Sequence, residues 1–392
     1  MYDYFYERLY ESEQLPTMKM NEKPGEKKLQ NKIRIARHIL HRKQISRPEL
    51  ASELRISMPT VLQNVKELME DGIVEEVGEY ESTGGRKAKA LSVVSDIKYA
   101  AGIDITANHV SYVVINLKGD TVCLKRSRQR YANLPGYYEE VVKGLDCFLD
   151  ENRVDRQKVL GVGISLPGII DKGNQKLLRS HILQVRDINL VSISRLIPYP
   201  VHFENDANSA AIAELQGMDQ NAVFLSLSNT VGGSIYLNND IYVGDHFRSA
   251  EFGHMIINPG GKACYCGKCG CADAYCSAKV LTSYIGEDAD LAEFFYAVDQ
   301  NEPEAVKVWD KYLDDLAIVV TNIRMAFDCD IVLGGYVGGY LKNHMSKLGA
   351  KVLEYNKFDN DALYLRNCIY EKEASAVGIA MTFLEEYFDV II

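Results

Sequence analysis

A chain of 392 residues, 47% of them hydrophobic, is long enough for two or three packed domains and has the apolar material for their cores. No apolar run approaches the ~18 residues of a membrane helix, and the N-terminal Met-Tyr-Asp-Tyr-Phe-Tyr-Glu lacks the basic start of an export signal; the expected compartment is the cytoplasm, with no membrane partner. The net charge of −10 would argue against nucleic acid if it were spread evenly, but Lys23 to Arg47 holds nine basic residues against the single acid Glu26.

Residues 1–29 mix aromatic and charged side chains and receive no function. From Gln30 the pattern is helical: Ile33, Ala36, Ile39 and Leu40 recur at three- and four-residue steps. Ser46-Arg47-Pro48-Glu49 reads as a capping box before Leu50, Ala51 and Leu54. Ser57 caps a third helix whose Val61, Leu62, Val65, Leu68 and Met69 are expected to face the first two, with Gly72 as its stop. Ile73–Val77 and Leu91–Val94 then read as strands around Thr83-Gly84-Gly85-Arg86-Lys87. Three helices closed by a hairpin with a basic, glycine-rich tip predict a winged helix-turn-helix over 30–97. Ser57, Thr60, Gln63 and Asn64 are the expected base-reading residues of its third helix. Arg86, Lys87 and the basic first helix are expected on phosphates. A small helical protein-interaction domain is the competing reading; the basic window beside the basic tip favours DNA.

After Lys98 the chain alternates strands and helices: Tyr99–Ile105, Val110–Asn116 and Thr121–Lys125 as strands, a helix over Pro135–Glu151, and a buried strand over Val159–Ser165. A second set, Val223–Ser228, Gly233–Leu237 and Ile241–Val243, repeats the theme, which gives α/β for 98–392. Between the sets, Glu204-Asn205-Asp206-Ala207-Asn208 follows the strand Val201-His202-Phe203 and opens a helix. Polar side chains at such a junction sit at the mouth of an α/β crevice, although Asn and Asp are also ordinary helix caps.

Five of the nine cysteines, Cys264, Cys266, Cys269, Cys271 and Cys276, fall within thirteen positions, interleaved with glycines and preceded by His254. Thiolates and an imidazole are the donors tetrahedral zinc prefers, and four protein ligands leave no open position, so the reading is a structural Zn2+ site. Disulfides are disfavoured in a chain without a secretory signal. Which four residues ligate is left open by the residues alone, with Cys269 and Cys276 as the spares.

Glu251-x-Gly253-His254 followed by Cys264-x-Cys266-Gly267-x-x-Gly270-Cys271 resembles the signature of the ROK family, which joins repressors and sugar kinases. The resemblance implies a two-lobed actin-like, hexokinase-like fold with the zinc on His254, Cys264, Cys266 and Cys271. It also implies sugar contacts from Asn205, Asp206, Glu251 and His254, with Ser165 in Gly163-Ile164-Ser165-Leu166-Pro167-Gly168 on the opposite wall. Asp206 stands where a kinase member keeps its general base. Asp273 stands where the family places a sugar-touching glutamate, one methylene longer. Ser-Thr-Gly-Gly-Arg-Lys resembles the wing of the family's repressor members.

Kinase members begin their phosphate site with Asp-x-Gly-Gly-Thr; here the run is Asp104-Ile105-Thr106-Ala107-Asn108, without glycine. Ser228-Asn229-Thr230-Val231-Gly232-Gly233 keeps part of a second glycine pattern, and Gly334-Gly335-Tyr336 sets a tyrosine near the expected adenosine region. Backbone close to phosphate needs glycine, so the expectation is no enzyme but a sugar-responsive repressor, a homodimer or homotetramer bound to operator DNA and released by a sugar effector. The alternatives are an ATP-dependent sugar kinase with an added DNA-binding domain, and a DNA-bound scaffold whose sugar pocket does not function.

Overall fold

The computed structural model describes residues 24–80, 88–218, 220–286 and 290–390. The chain divides into two compact units: Met1–Ile39 with Gln44–Ser92 and Phe388–Ile392, and Leu40–Lys43 with Val93–Tyr387.

The smaller unit holds α1 (Pro24–Arg42), β1 (Ile45–Ser46), α2 (Arg47–Leu54), α3 (Met58–Glu70), β2 (Val74–Tyr80) and β3 (Ala88–Val93), the strands in the order β1-β3-β2. The capping box forms as the sequence predicts: Ser46 Oγ accepts the Glu49 amide at 3.4 Å, and the Glu49 carboxylate accepts the Ser46 amide at 3.0 Å. Ser57 caps α3 by accepting the Thr60 amide, and Gly72 stops it at φ +70°. Ile35, Ala36, Ile39, Leu50, Val61, Val65 and Leu68 are buried. Ile35 rather than Ile33 occupies the buried stripe of α1. Leu62, expected inside, is 49% exposed. It follows Val61 by 100° around the helix, off the face defined by 61, 64, 65 and 68. The wing tip with Arg86 and Lys87 lies outside the described residues.

The larger unit contains two sheets of the same plan. In lobe 1, β4 (Tyr99–Ile105), β5 (His109–Asn116) and β6 (Thr121–Arg128) form an antiparallel meander; α4 (Pro135–Glu151) crosses over to β7 (Val159–Leu166), parallel to β4. A small sheet of β8 (Ile169–Asp171), β9 (Lys176–Ser180) and β10 (Val185–Asn189) follows, and β11 (Val201–Asn205) completes the order β11-β7-β4-β5-β6. After α5 (Asp206–Leu215), lobe 2 repeats it: β12 (Ala222–Leu227), β13 (Val231–Leu237), β14 (Asp240–Ile241), then α6 (Asp273–Cys276), α7 (Ala278–Ile285), α8 (Leu291–Asp299), α9 (Pro303–Phe327), β15 (Asp330–Gly334), α10 (Gly335–Leu341), α11 (Met345–Tyr355) and β16 (Leu365–Asn367), in the order β14-β13-β12-β15-β16.

The final helix, α12 (Ala374–Val390), returns to lobe 1. It lies so close to β4 and β7 that a Cβ on Gly102 would sit 1.9 Å from the Ala376 carbonyl oxygen and one on Gly163 would sit 2.5 Å from Ile379. It crosses α5 equally tightly, since a Cβ on Gly378 would meet the Ser209 carbonyl oxygen at 1.7 Å. Glycines at these crossings let backbone pack on backbone. Among the described residues, no helix is long and apolar enough to cross a membrane.

Candidate DNA-reading face and ligand cleft

On α3 the structure separates the four candidate base-reading residues. Ser57, Met58, Leu62, Gln63 and Lys66 are exposed, and Thr60 is half-buried with its hydroxyl 2.8 Å from that of Ser57. Asn64 is the correction: only 1% exposed, it donates to the Thr60 carbonyl at 2.7 Å and faces the core. Val61, Asn64, Val65 and Leu68 share the i, i+3, i+4, i+7 face, so the periodicity that buries the valines also buries Asn64. Met58 and Lys66, which the sequence reading passed over, stand on the open face instead. The basic run is also partly spoken for. Lys28 pairs with Glu67 and Lys32 with Asp71, both at 2.7 Å, Arg34 reaches the Leu54 carbonyl, and Arg47 pairs with Glu76 at 2.8 Å. Those cations hold the helices to one another and, through Arg47, α2 to β2.

In lobe 1 the strand register assembles a polar rung across all five strands. Glu204 lies opposite Ser165, Ser165 opposite Asp104, Asp104 opposite Ser111, and Ser111 opposite Arg126. Residues directly opposite point to the same face of a sheet, so side chains distant in sequence become neighbours. Ser165, fully buried, donates to Asp104 Oδ1 at 3.1 Å. Burial, followed by the charge of Asp206, pushes the Asp104 carboxyl up to about 7, against the opposing pull of Ser165 and Arg126. The sequence reading saw Asp104 only as the head of a failed phosphate loop.

Asn205 caps α5: its Oδ1 accepts the amides of Ala207 at 2.9 Å and Asn208 at 3.1 Å, and its Nδ2 donates to the Gly168 carbonyl at 2.9 Å. The capping role is therefore real, and it ties the helix to the Gly163–Gly168 wall. Asp206, half-buried on the next residue, is raised by burial, and Glu251 is raised by burial and then by the charge of Asp206. Asp206 thus lies near enough to both Asp104 and Glu251 for its charge to act on each, with Ser165 bonded to Asp104. Asp273 is buried, with Oδ2 accepting the Val231 amide at 2.7 Å; that oxygen secures β13.

The Glu251–His254 segment is a single helical turn pressed onto β13, where a Cβ on Gly253 would lie 2.0 Å from the Val231 carbonyl oxygen. The cysteine loop folds back under it: Ile257 donates to Gly270, Ala272 to Met255, and Gly270 adopts φ +85°. His254, Cys264, Cys266 and Cys271 arrive with their donor atoms all within 4.8 Å of one another. Cys264 Sγ is 3.8 Å from His254 Nδ1, and Cys266 Sγ is 3.7 Å from Cys271 Sγ, too long for a disulfide bond of ~2.05 Å. One imidazole and three thiols at this spacing fit a metal ion. Burial pushes the Cys264 thiol up to about 12, and a bound cation supplies the charge that holds such a sulfur as thiolate. Cys269 is exposed and Cys276 buried, both outside the cluster. The other ring nitrogen of His254, Nε2, looks toward Glu251 Oε2 at 4.0 Å and the Tyr265 hydroxyl at 3.4 Å.

The loops in the phosphate positions are closed on themselves. Thr106 exchanges hydrogen bonds with His109 through both amide and hydroxyl. Across the cleft, Ser228 Oγ accepts the Tyr336 amide at 3.4 Å. The Tyr336 hydroxyl accepts from Arg126 Nη2 at 2.9 Å. Arg126 and Tyr336, missed as a pair in sequence, are 210 positions apart.

Residues 100–386 match the model of the ROK family, and residues 29–75 match a model described as winged helix-turn-helix DNA-binding. The chain is 27% identical over 379 residues to a xylose repressor of Bacillus spizizenii, covering 93% of this chain and 97% of that protein. A solved ROK family transcriptional regulator, a homologue of the E. coli MLC protein, superposes with a TM-score of 0.70 at 18% identity, covering 92% of this chain and 98% of that one. A ROK hexokinase from Thermus thermophilus superposes with a TM-score of 0.60 at 23% identity over 74% of this chain and 99% of the hexokinase.

Proposed function

The chain belongs to the ROK family, and from that premise we propose that it is a sugar-responsive transcriptional repressor, with the winged helix on operator DNA and the two-lobed unit as the sensor. One observation carries the reading: a cleft keeps the carboxylates and histidine suited to sugar hydroxyls, Asp206, Glu251 and His254, while the neighbouring phosphate-loop groups of Thr106 and Tyr336 are taken by protein partners. Carboxylates and imidazole are the donors and acceptors a buried sugar requires. Zn2+ on His254, Cys264, Cys266 and Cys271 would fix the His254 ring and leave Nε2 for the ligand. Asn205 orients Asp206 by capping α5.

DNA is read by Ser57, Thr60 and Gln63, with phosphate contacts from the wing residues Arg86 and Lys87. Residues 30–97 form the reader and 98–392 the sensor, and the protein works as a homodimer or homotetramer so that paired helices meet two half-sites. Sugar closes the cleft and favours the arrangement that lets DNA go; such coupling is typically ~1–3 kcal/mol.

The test is a thermal-shift panel of xylose, glucose and N-acetylglucosamine, with and without magnesium ATP, followed by release of a duplex selected from a random pool. Stabilisation by one sugar, no further shift with ATP, and sugar-dependent DNA release are expected. ATP turnover with any sugar would instead establish the kinase reading, for which the intact Asp206 speaks. On the DNA side, Gln63→Ala should weaken the selected duplex about tenfold with an unchanged melting temperature. Asn64→Ala should lower stability by about 1 kcal/mol.

A further inference from the structure

Arg126 sits on β6 at the edge of the lobe 1 sheet, and Tyr336 sits in the first turn of α10 in lobe 2. They meet across the cleft, with Arg126 Nη2 donating to the Tyr336 hydroxyl at 2.9 Å and the guanidinium 5.3 Å from the centre of the tyrosine ring. Arg126 Nη1 is shielded from solvent. Both ends of the contact are held. Arg126 is the terminal member of the Glu204–Ser165–Asp104–Ser111–Arg126 rung. Tyr336 is fixed by its amide on Ser228 and by Gly335, where φ is +76° and an added Cβ would lie 2.6 Å from Ser228 Oγ.

We infer that Arg126 and Tyr336 are a latch between the lobes that holds them at the angle that receives the ligand. A cation from one lobe and a phenol from the other bridge the opening between them, and the guanidinium also supplies positive charge beside Asp104. Arg126 and Tyr336 are positioning residues: the Arg126 fork and the Tyr336 hydroxyl act on the ligand through the lobe angle. A receptor already poised binds more tightly than one its ligand must close, by the fraction of chains in the competent state. The latch depends on the sugar-sensing reading for the identity of its ligand and not for its geometry.

The experiment uses the full chain and two variants, Tyr336→Phe, which removes only the hydroxyl, and Arg126→Lys, which keeps the charge and loses the fork. Amide hydrogen exchange is followed in the lobe opposite each change. Tyr336→Phe should quicken exchange over Asp104–His109 in lobe 1, and Arg126→Lys should quicken it over Gly335–Leu341 in lobe 2. A local packing role would not carry across the cleft in both directions. The monosaccharide that stabilises the wild-type chain should bind each variant about tenfold more weakly, as expected for losing a hydrogen bond to a charged group. Unchanged exchange in both opposite lobes overturns the latch, as does an unchanged dissociation constant where the wild type binds sugar. If no sugar binds the wild type, the sensing reading fails and exchange alone decides the latch.

Discussion

Lobes 1 and 2 share a strand order yet fill the same level of their sheets with opposite chemistry. In lobe 1 the rung at the cleft is built of side chains, Glu204, Ser165, Asp104, Ser111 and Arg126. In lobe 2 the corresponding level is Gly232, Ser226 and Gly334. Glycine there invites a phosphate reading, but the packing gives another cause. A Cβ on Gly334 would lie 2.3 Å from the Phe224 ring, and one on Gly233 would lie 2.4 Å from the Phe252 ring. Gly233 and Gly334 make room for aromatic core, so their presence in these strands is not by itself a nucleotide site. Lobe 1 has no glycine at its turn, and there Thr106 and His109 bind one another.

The comparison breaks most visibly at the metal cluster, which belongs to lobe 2 alone. If the cluster holds the proposed Zn2+, chelation, or replacing Cys271 with Ser, should release the loop from Ile256 to Cys271, since structural metal sites contribute folding free energy directly. A large fall in melting temperature is expected, together with loss of one bound metal per chain by elemental analysis. Hydrogen exchange should quicken in lobe 2 and stay slow in β4 and β5. Equal loss in both lobes would mean that the metal organises the whole sensor.

The lobe 1 rung can be isolated by pH. Asp104 has its folded pKa raised to about 7, above the unfolded value, so the native state binds the extra proton. Its contribution to stability therefore falls as pH rises from about 4 to about 7 and levels off above that, with a slope approaching ~1.4 kcal/mol per pH unit inside the window. Asp104→Asn removes this term, so denaturant titrations should show the variant gaining on the wild type as pH rises to about 7. A constant difference would place the proton elsewhere.

The smallest effect sharpens the glycine argument. Gly334→Ala should cost about 2 kcal/mol by overpacking against Phe224, whereas Gly232→Ala, whose Cβ would stand 3.3 Å from Ala207 Cβ, should cost about 1 kcal/mol or less. Chemical denaturation separates the two. If Gly232→Ala is the costlier change, its glycine serves something other than the fold.

Much of this was legible from spacing. The capping box at Ser46, the strand Tyr99–Ile105 and the helix Pro135–Glu151 lie where local pattern put them, and the cysteine cluster was visible as a group, while the choice of His254, Cys264, Cys266 and Cys271 came from the family resemblance. Residues close in sequence have few ways to meet, and glycines narrow them further. The errors on α3 were also local: Asn64 was read by its polarity rather than its angle, and Leu62 by its hydrophobicity. Polarity names what a side chain can bind, while helical phase decides whether it reaches a partner. The helices from Ala278 onward went unread, although α7, α9 and α11 each set exposed polar residues opposite a buried apolar face.

The sequence by itself determined the class of the chain, a winged helix joined to an α/β unit with a clustered His/Cys loop that could hold a metal ion, because periodicity and residue spacing act over a few residues. Tertiary structure alone decided which polar groups are spent and which remain. Asn205 is committed to Gly168, Asp273 to the Val231 amide, and Arg126 to Tyr336 across 210 positions. Strand register and lobe packing set those meetings, and both depend on contacts between distant segments that no local pattern encodes.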